Sequence, residues 1–213
     1  MARLTKAQRA LIEADPMLGA LIEEIGPLSV AERERRRSVQ RPEDAFGALV
    51  RAIVGQQLSA KAARAIHARL LAVFDGKTPT PQELAAASEK ELRGAGLSGR
   101  KATYLRDLAA HVLDGSLELD RLAELGDEEV IEEIVAVRGL GRWSAEMFLI
   151  FHLGRPDVIS GGDLGIRRAI RLAYGLDAMP TPDEVVARAE RWRPQRSLAC
   201  LYLWESLAAV PVD

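Results

Sequence analysis

The sequence predicts an all-α protein, and three observations support this fold class. Apolar residues recur with the spacing of one helical face, as in Phe46, Leu49, Val50, Ile53 and Val54. Alanine and leucine, which favour helices, are abundant. No stretch alternates apolar and polar residues as a half-buried strand would, and only residues 157–159 suggest a short extended piece.

Glycine and proline separate the predicted helices. These helices cover roughly 5–13, 17–25, 46–54, 59–73, 99–114, 127–135, 142–151, 163–174, 183–191 and 196–209. Segment 75–82 is a turn-rich connector. We expect a single unit over 1–213 with two helical lobes that share a cleft. One lobe would span about 60–155, and the other would combine 1–59 with 156–213.

Composition excludes several classes of protein. The chain has 213 residues, of which 48% are hydrophobic and 28% charged, so it can bury a sizeable core. Its net charge of −2 excludes an all-over polycation. A single cysteine, Cys200, excludes a disulfide framework, a cysteine-ligated zinc site and a four-cysteine iron–sulfur cluster. No apolar run reaches membrane-spanning length, so we expect a cytoplasmic protein without membrane contact.

The most informative segment is 131–145, where a helix, a Gly139-Leu140-Gly141 turn and a second helix follow one another. Two glycines allow a sharp turn and close backbone approach. The second helix offers unpaired N–H groups and the positive end of its dipole, which suit a phosphate. The turn therefore fits either a clamp on nucleic-acid phosphate or an ordinary corner between two helices.

Asp163 stands about 20 residues after this turn, at a predicted helix start beside Gly161 and Gly162. The segment from Arg138 to Arg171 contains six arginines and three acidic residues, so its net charge is 6 − 3 = +3. A lone carboxylate in a basic region is a candidate for chemistry on a phosphodiester-linked substrate. It is equally a good helix N-cap, and the two roles can coexist.

These residues resemble the helix-hairpin-helix, Gly/Pro…Asp (HhH-GPD) superfamily of DNA glycosylases. Within it, the sequence looks most like the 3-methyladenine DNA glycosylase II (AlkA-like) family. The resemblance covers about residues 40–207 and rests on four ordered stretches: 51–59, 141–145, the Asp163 region and 191–204. It implies an all-α fold with two lobes around a DNA-binding cleft and the helix-hairpin-helix motif at 135–145.

The sequence departs from the family pattern in three ways. Larger members carry an additional N-terminal β-rich domain, whereas about 40 helical residues precede the match here, which suggests a compact version. Ser160-Gly161-Gly162 stands where a proline often precedes the aspartate, and Met147 replaces a pocket tyrosine. The last two changes bear on substrate range more than on the reaction.

The resemblance implies hydrolysis of the N-glycosidic bond of a damaged base flipped out of the duplex, as part of base excision repair. Asp163 would be the catalytic residue, either stabilising the oxocarbenium-like transition state or orienting the attacking water. Trp143 occupies the position where strand-cutting relatives use a Schiff-base lysine. We therefore expect a monofunctional glycosylase that leaves an abasic site.

Other roles follow from the same resemblance. Trp143, Met147 and Trp204 would line the base pocket, where aromatic rings attract cationic 3-methyladenine or 7-methylguanine; each tryptophan could instead be core packing. Gln57 with Leu58 would wedge into the duplex, unless Gln57 is a buried helix-end amide. Gly139, Gly141, Arg142 and Ser144 would bind phosphate. The carbonyls of Val135, Val137 and Leu140 would hold a structural Na⁺ or K⁺.

No cofactor and no iron–sulfur cluster would be required. We expect a monomer that binds damaged double-stranded DNA and passes its product to an abasic-site endonuclease without a stable complex. Two alternatives remain at this point. The pocket could accept neutral deaminated, etheno or mismatched bases, or the hairpin could belong to a non-catalytic DNA-binding module.

Overall fold

Capping side chains set where most helices begin in the computed structural model, which describes residues 4–36 and 44–209. Four helices start with a complete capping box, in which a threonine or serine hydroxyl and a glutamine or glutamate three residues later satisfy each other's backbone N–H groups. These boxes are Thr5 with Gln8, Thr80 with Glu83, Ser88 with Glu91 and Thr181 with Glu184. The starts of these four helices are therefore specified by residues close in sequence.

The described ranges contain thirteen α-helices, three 3₁₀ helices and no strand, so the all-α prediction is confirmed. The α-helices are α1 (Lys6–Ala14), α2 (Pro16–Ile25), α3 (Val30–Arg36), α4 (Ala45–Gly55), α5 (Ala60–Val73), α6 (Pro81–Ala86), α7 (Glu89–Gly94), α8 (Gly99–Leu113), α9 (Asp127–Ala136), α10 (Arg142–Phe151), α11 (Leu164–Ala173), α12 (Pro182–Ala189) and α13 (Arg196–Ser206). The 3₁₀ helices are Leu119–Ala123, Glu190–Trp192 and Leu207–Ala209.

The extended piece suggested at 157–159 does not form a strand. The N–H of Val158 donates to the Ser197 hydroxyl at 3.0 Å, and that hydroxyl donates to the Arg155 carbonyl at 2.6 Å. The segment is therefore fixed by a side chain of α13 rather than by a neighbouring strand, which a reading of local sequence has no means to detect.

The chain divides into two compact units. The central unit comprises residues 41–153, and the terminal unit comprises residues 1–40 with 154–213. The sequence predicts a boundary near residue 60, which would assign α4 to the terminal lobe. In the structure α4 belongs to the central unit because its apolar face packs against α5, α8 and α10.

Each unit has its own helical core. In the terminal unit α13 packs against α2 and α11, and its residues 199–203 are all buried. In the central unit α8 packs against α4 and α6, while α9 packs against α10. The packing of α9 against α10 holds the glycine turn that connects these two helices.

Three helices were not predicted from periodicity. Helices α6 and α7 have six residues each, too few for a repeating apolar face to be recognised. Their capping boxes were the available signal, and the last two positions of the predicted 75–82 connector already belong to α6, which begins at Pro81. Helix α3 carries a run of charged residues with no apolar stripe in its sequence.

Asp15 is the main buried polar centre of the terminal unit. It is 1% exposed, and its Oδ1 atom caps α2 by accepting from the N–H groups of Met17 and Leu18. Its Oδ2 atom accepts from the Tyr174 hydroxyl at 2.6 Å and the Trp192 indole N–H at 3.0 Å. Burial opposes ionisation, but these four donors together hold the pKa of Asp15 below its usual value.

Replacing Asp15 by Asn should lower the free energy of unfolding by about 2 kcal/mol, because one amide oxygen cannot accept from both groups of donors and one group loses its acceptor. The wild-type contribution is fully present above the unfolded carboxyl pKa, about 3.9, and is lost as pH falls through the lower folded value. Urea unfolding at pH 7 and at decreasing pH measures both effects.

Asp44→Asn is the matched control, because Asp44 is exposed and makes one capping bond, to the Gly47 N–H, which Asn can also make. Equal unfolding free energies for the two variants would contradict the role assigned to Asp15.

Candidate functional site

The turn between α9 and α10 depends on one glycine more than on the other. Gly139 has φ +92°, and a Cβ at this position would overlap the Tyr104 ring, so both backbone conformation and space require glycine. Gly141 has φ −114° and nothing within 4 Å of its Cβ position. The Leu140 N–H closes the turn on the Val137 carbonyl at 3.1 Å.

The N-terminus of α10 carries no side-chain cap within the described ranges, unlike α9, where Glu129 accepts from the Gly126 N–H. Gly141 occupies the capping position and has no side chain to offer. The first N–H groups of a helix have no partners within it, and they form the positive end of the dipole. This arrangement suits an anion such as a phosphate. Ser144 is 2% exposed, so it would contact an anion through its backbone N–H and not through its hydroxyl.

The Arg142 side chain is held by carboxylates. Its guanidinium bonds to both oxygens of Glu128, at 2.7 and 3.0 Å, and to Glu146 at 3.2 Å. The bond to Glu128 raises the pKa of Arg142, and burial opposes that rise only in part. The positive charge of Arg142 is therefore offset by these two carboxylates, and the turn is less positive than its arginines alone suggest.

Residues 56–59 between α4 and α5 form a loop, which we call the wedge loop. Gln57 is exposed and has φ +55°, a left-handed conformation that residues with a side chain seldom adopt. Leu58 beside it is 37% exposed. Gln57 is thus not a buried amide, and both side chains remain accessible on the surface of the central unit.

Trp143 and Met147 lie one turn apart on α10, on the same side of the helix. Trp143 is 42% exposed, so it is not ordinary core packing, and Met147 is partly buried. Both belong to the central unit, together with the hairpin and the wedge loop.

Asp163 and Trp204 meet in the terminal unit. The Oδ1 atom of Asp163 accepts from the Ile166 N–H at 2.8 Å, which caps α11, and from the Trp204 indole N–H at 2.9 Å. Trp204 is partly buried, with the Arg33 guanidinium 5.4 Å from its ring centroid. The carboxylate therefore serves as an N-cap and is also fixed in orientation by an aromatic side chain.

Gly165 allows that contact. A Cβ there would lie 3.0 Å from Asp163 Oδ1 and 3.2 Å from Trp204 Cδ1. Sequence analysis did not single out this glycine, because its importance depends on a tryptophan 39 positions away. The predicted pocket residues thus divide between the units, with Trp204 paired to Asp163 and with Trp143 and Met147 on α10.

Three further residues, not predicted from the sequence, support the hairpin and the wedge loop. The Gln56 side chain donates to the Gly139 carbonyl, and Lys101 donates to the carbonyls of Val54 and Gln56. Tyr104 packs on Gly139. No local motif marks these residues, since each acts on backbone atoms distant in sequence.

Within the described ranges, no three or more His, Cys, Asp or Glu side chains are grouped as a metal site. The same part of the chain contains no helix long and apolar enough to cross a membrane. The carbonyls of Val135, Val137 and Leu140 lie at the end of α9 and in the turn after it. Backbone carbonyls are hard oxygen donors, a donor type compatible with a monovalent cation. Those of Val135 and Val137 lie at the negative end of the α9 dipole, whereas Leu140 directly precedes the N-cap of α10.

The chain belongs to the HhH-GPD superfamily of base excision DNA repair proteins, whose sequence profile matches residues 50–195. The family recognised from the hairpin and the aspartate is thereby confirmed.

The chain is similar to DNA-3-methyladenine glycosylase 1 of Schizosaccharomyces pombe, with 35% identity over 205 residues that cover 95% of this chain and 87% of that protein. It is 32% identical to DNA-3-methyladenine glycosylase 2 of Escherichia coli over 170 residues, which are 76% of this chain and 57% of that protein. The structure of the S. pombe 3-methyladenine DNA glycosylase Mag1 in complex with abasic DNA aligns with a TM-score of 0.87 and 31% identity. That alignment covers 98% of this chain and all of the other.

Gly139→Ala should destabilise the protein by about 2 kcal/mol or more, since left-handed backbone costs roughly 1–2 kcal/mol for a residue with a Cβ and the methyl group also displaces Tyr104. Thermal unfolding monitored by circular dichroism measures the effect. Gly141→Ala is the matched control in the same turn and should lower the melting temperature much less, because only the preference for glycine over alanine at an N-cap is lost. A similar loss in both variants would refute the distinction between the two glycines.

Proposed function

We propose that this protein is a monofunctional DNA glycosylase of base excision repair that removes alkylated purines, such as 3-methyladenine and 7-methylguanine, and leaves an abasic site. The observation that carries the proposal is the fixed carboxylate of Asp163 at the start of α11, with the Trp204 indole N–H at 2.9 Å. The names of the relatives and their similarity over most of this chain support the substrate class.

Asp163 would act on the sugar. Breaking the N-glycosidic bond makes the transition state resemble an oxocarbenium ion, and a negative charge held in place stabilises it without reorganisation during the reaction. The cap bond and the Trp204 bond both reach Oδ1, so they fix the plane of the carboxylate. Asp163 would either stabilise the developing charge or orient the attacking water.

Trp143, Met147 and Trp204 would receive the flipped base. An alkylated purine of this kind carries positive charge, and attraction to an aromatic face contributes about 0.5–2 kcal/mol. The charged base is already a good leaving group, so no strong general acid is needed. Trp204 would have a second task on this view, because its N–H also orients Asp163.

Binding would rest on the hairpin and the wedge loop. The backbone amides of Gly139, Gly141, Arg142 and Ser144 would contact a phosphate at the uncapped end of α10. The carbonyls of Val135, Val137 and Leu140 would hold a Na⁺ or K⁺ ion that adds positive charge beside that phosphate. Gln57 and Leu58, both exposed, would fill the gap in the duplex that the flipped nucleotide leaves.

The proposal has consequences for partners. The protein would work as a monomer on damaged double-stranded DNA in the cytoplasm, associated with the nucleoid, and would need no cofactor for the reaction. An endonuclease specific for abasic sites would process its product without forming a stable complex.

A second candidate substrate class is neutral damaged bases. Met147 favours it, because a thioether at this position of α10 offers a weaker attraction to a cation than an aromatic ring would. Comparison of 7-methylguanine with an etheno or deaminated base in the same duplex separates the two classes.

Asp163→Asn should reduce base release from methylated duplex DNA by about 100-fold or more, since it removes the charge that stabilises the transition state while asparagine keeps the helix cap. DNA binding should be retained or tightened, because the substitution also removes a negative charge near phosphates. Chromatography of released bases and a binding assay give the two readouts.

Asp183→Asn is the control for the loss of one negative charge, because Asp183 is an exposed acidic residue in the first turn of α12 and lies in the same unit as Asp163. Unchanged excision by Asp163→Asn would remove the catalytic assignment. Intact binding with no release by wild type would favour the non-catalytic DNA-binding module.

Borohydride should not trap a covalent complex with substrate DNA, because Trp143 occupies the position of the Schiff-base lysine and has no amine. The strand should stay intact after base release and break only when hot alkali is added, which reveals the abasic site. Strand cleavage without alkali, or a trapped complex on a denaturing gel, would contradict the monofunctional assignment.

A further inference from the structure

One face of α8 contacts both surface elements of the central unit that bear on the proposed DNA interaction. Lys101, Tyr104 and Asp107 recur every three residues, so each lies beside the next along the helix surface. Lys101 bonds to backbone at the wedge loop, Tyr104 packs on Gly139, and Asp107 accepts from the Arg138 N–H at 2.8 Å. A single rigid helix therefore sets the spacing between the wedge loop and the hairpin.

Lys101 holds the end of α4. Its ammonium donates to the carbonyls of Val54 and Gln56, each at 2.7 Å. The last carbonyls of a helix lack partners within it and form the negative end of the dipole, so a cation there satisfies both requirements. Burial lowers the pKa of Lys101, in agreement with an ammonium partly withdrawn from water.

The carbonyl of Gln56 belongs to the peptide group that precedes Gln57. Fixing this carbonyl fixes the plane of that peptide group and so restricts the φ angle of Gln57, which is +55°. A residue with a side chain remains in this conformation only where its surroundings determine it. The Gln56 side chain adds a second restraint by donating to the Gly139 carbonyl at 2.6 Å.

We propose that Lys101 is a positioning residue for duplex opening: by holding the Gln56 carbonyl against α8, it keeps Gln57 in the conformation that enters the duplex, in register with the hairpin. The inference rests on the wedge role given to Gln57 in the proposed function. It adds a residue that does not contact the substrate and acts only through the backbone of the wedge loop.

The first test is independent of base release. A duplex with a tetrahydrofuran abasic analogue and 2-aminopurine beside it reports insertion into the stack as a rise in fluorescence. Wild type at saturation should give this rise. Lys101→Met, which keeps the length of the stem but removes the ammonium, should bind with most of the rise lost.

The control is Arg100→Met, which removes a positive charge from the adjacent, exposed position of α8. It should keep the full fluorescence rise. Gln56→Met, which removes only the bond to Gly139, should give a partial loss that reports the second restraint. Lys101→Gln, which also removes the ammonium, replaces Lys101→Met if that variant does not fold. Thermal unfolding establishes that each variant is folded at the assay temperature.

The second test uses release of 7-methylguanine under single-turnover conditions, where displacement of Gln57 should slow Lys101→Met about 100-fold relative to Arg100→Met. Lys101→Arg should recover part of this rate, because its guanidinium can still donate to the two carbonyls. A merely stabilising residue would lower the melting temperature without this selective loss of fluorescence.

The outcomes separate the inference from the proposed function. If wild type releases no alkylated base but the fluorescence differences appear, the substrate assignment fails and the positioning role stands. If wild type gives no fluorescence rise, or if a folded variant without the ammonium, Lys101→Met or Lys101→Gln, matches Arg100→Met, the positioning role is overturned.

Discussion

The backbone conformation at Gly139 is the constraint on which the surface of the central unit depends. Its φ of +92° is enclosed by the Tyr104 ring, while its carbonyl accepts from Gln56 and the next N–H back along the chain, that of Arg138, bonds to Asp107. These contacts come from α8 and from Gln56, the residue that follows α4. The hairpin is therefore held by tertiary contacts, although its glycines first suggest a purely local turn.

The geometry of Asp163 is compatible with a structural role and with the chemical role proposed for it. Its Oδ1 atom accepts from the Ile166 N–H, which caps α11, and from the Trp204 indole N–H. The two hydrogen bonds together orient the carboxylate. Orientation by two independent donors is what electrostatic catalysis needs, since a charge already in place does not have to reorganise. Sequence analysis left capping and catalysis open as coexisting roles, and the geometry is compatible with both.

Sequence reasoning reached the fold class, the family and the longer helices, because periodicity and capping act locally. It missed α6 and α7, whose capping boxes were visible at Thr80 and Ser88, and it placed α4 in the wrong lobe. The supporting contacts of the site were out of reach. Lys101 acts on a carbonyl 45 positions away, and Gly165 matters only because Trp204 approaches it. The roles of individual site residues remain predictions.

The ion pairs of Arg142 have a consequence for thermodynamics. A free arginine on a protein surface attracts mobile anions, and nucleic acid sheds condensed cations when such an arginine arrives. Glu128 and Glu146 already neutralise Arg142, so they act as counterions built into the chain. If the turn binds a phosphate as proposed, fewer counterions would be released there than a count of arginines implies. The backbone N–H groups of α10, which carry no net charge, would then account for a larger share of that binding.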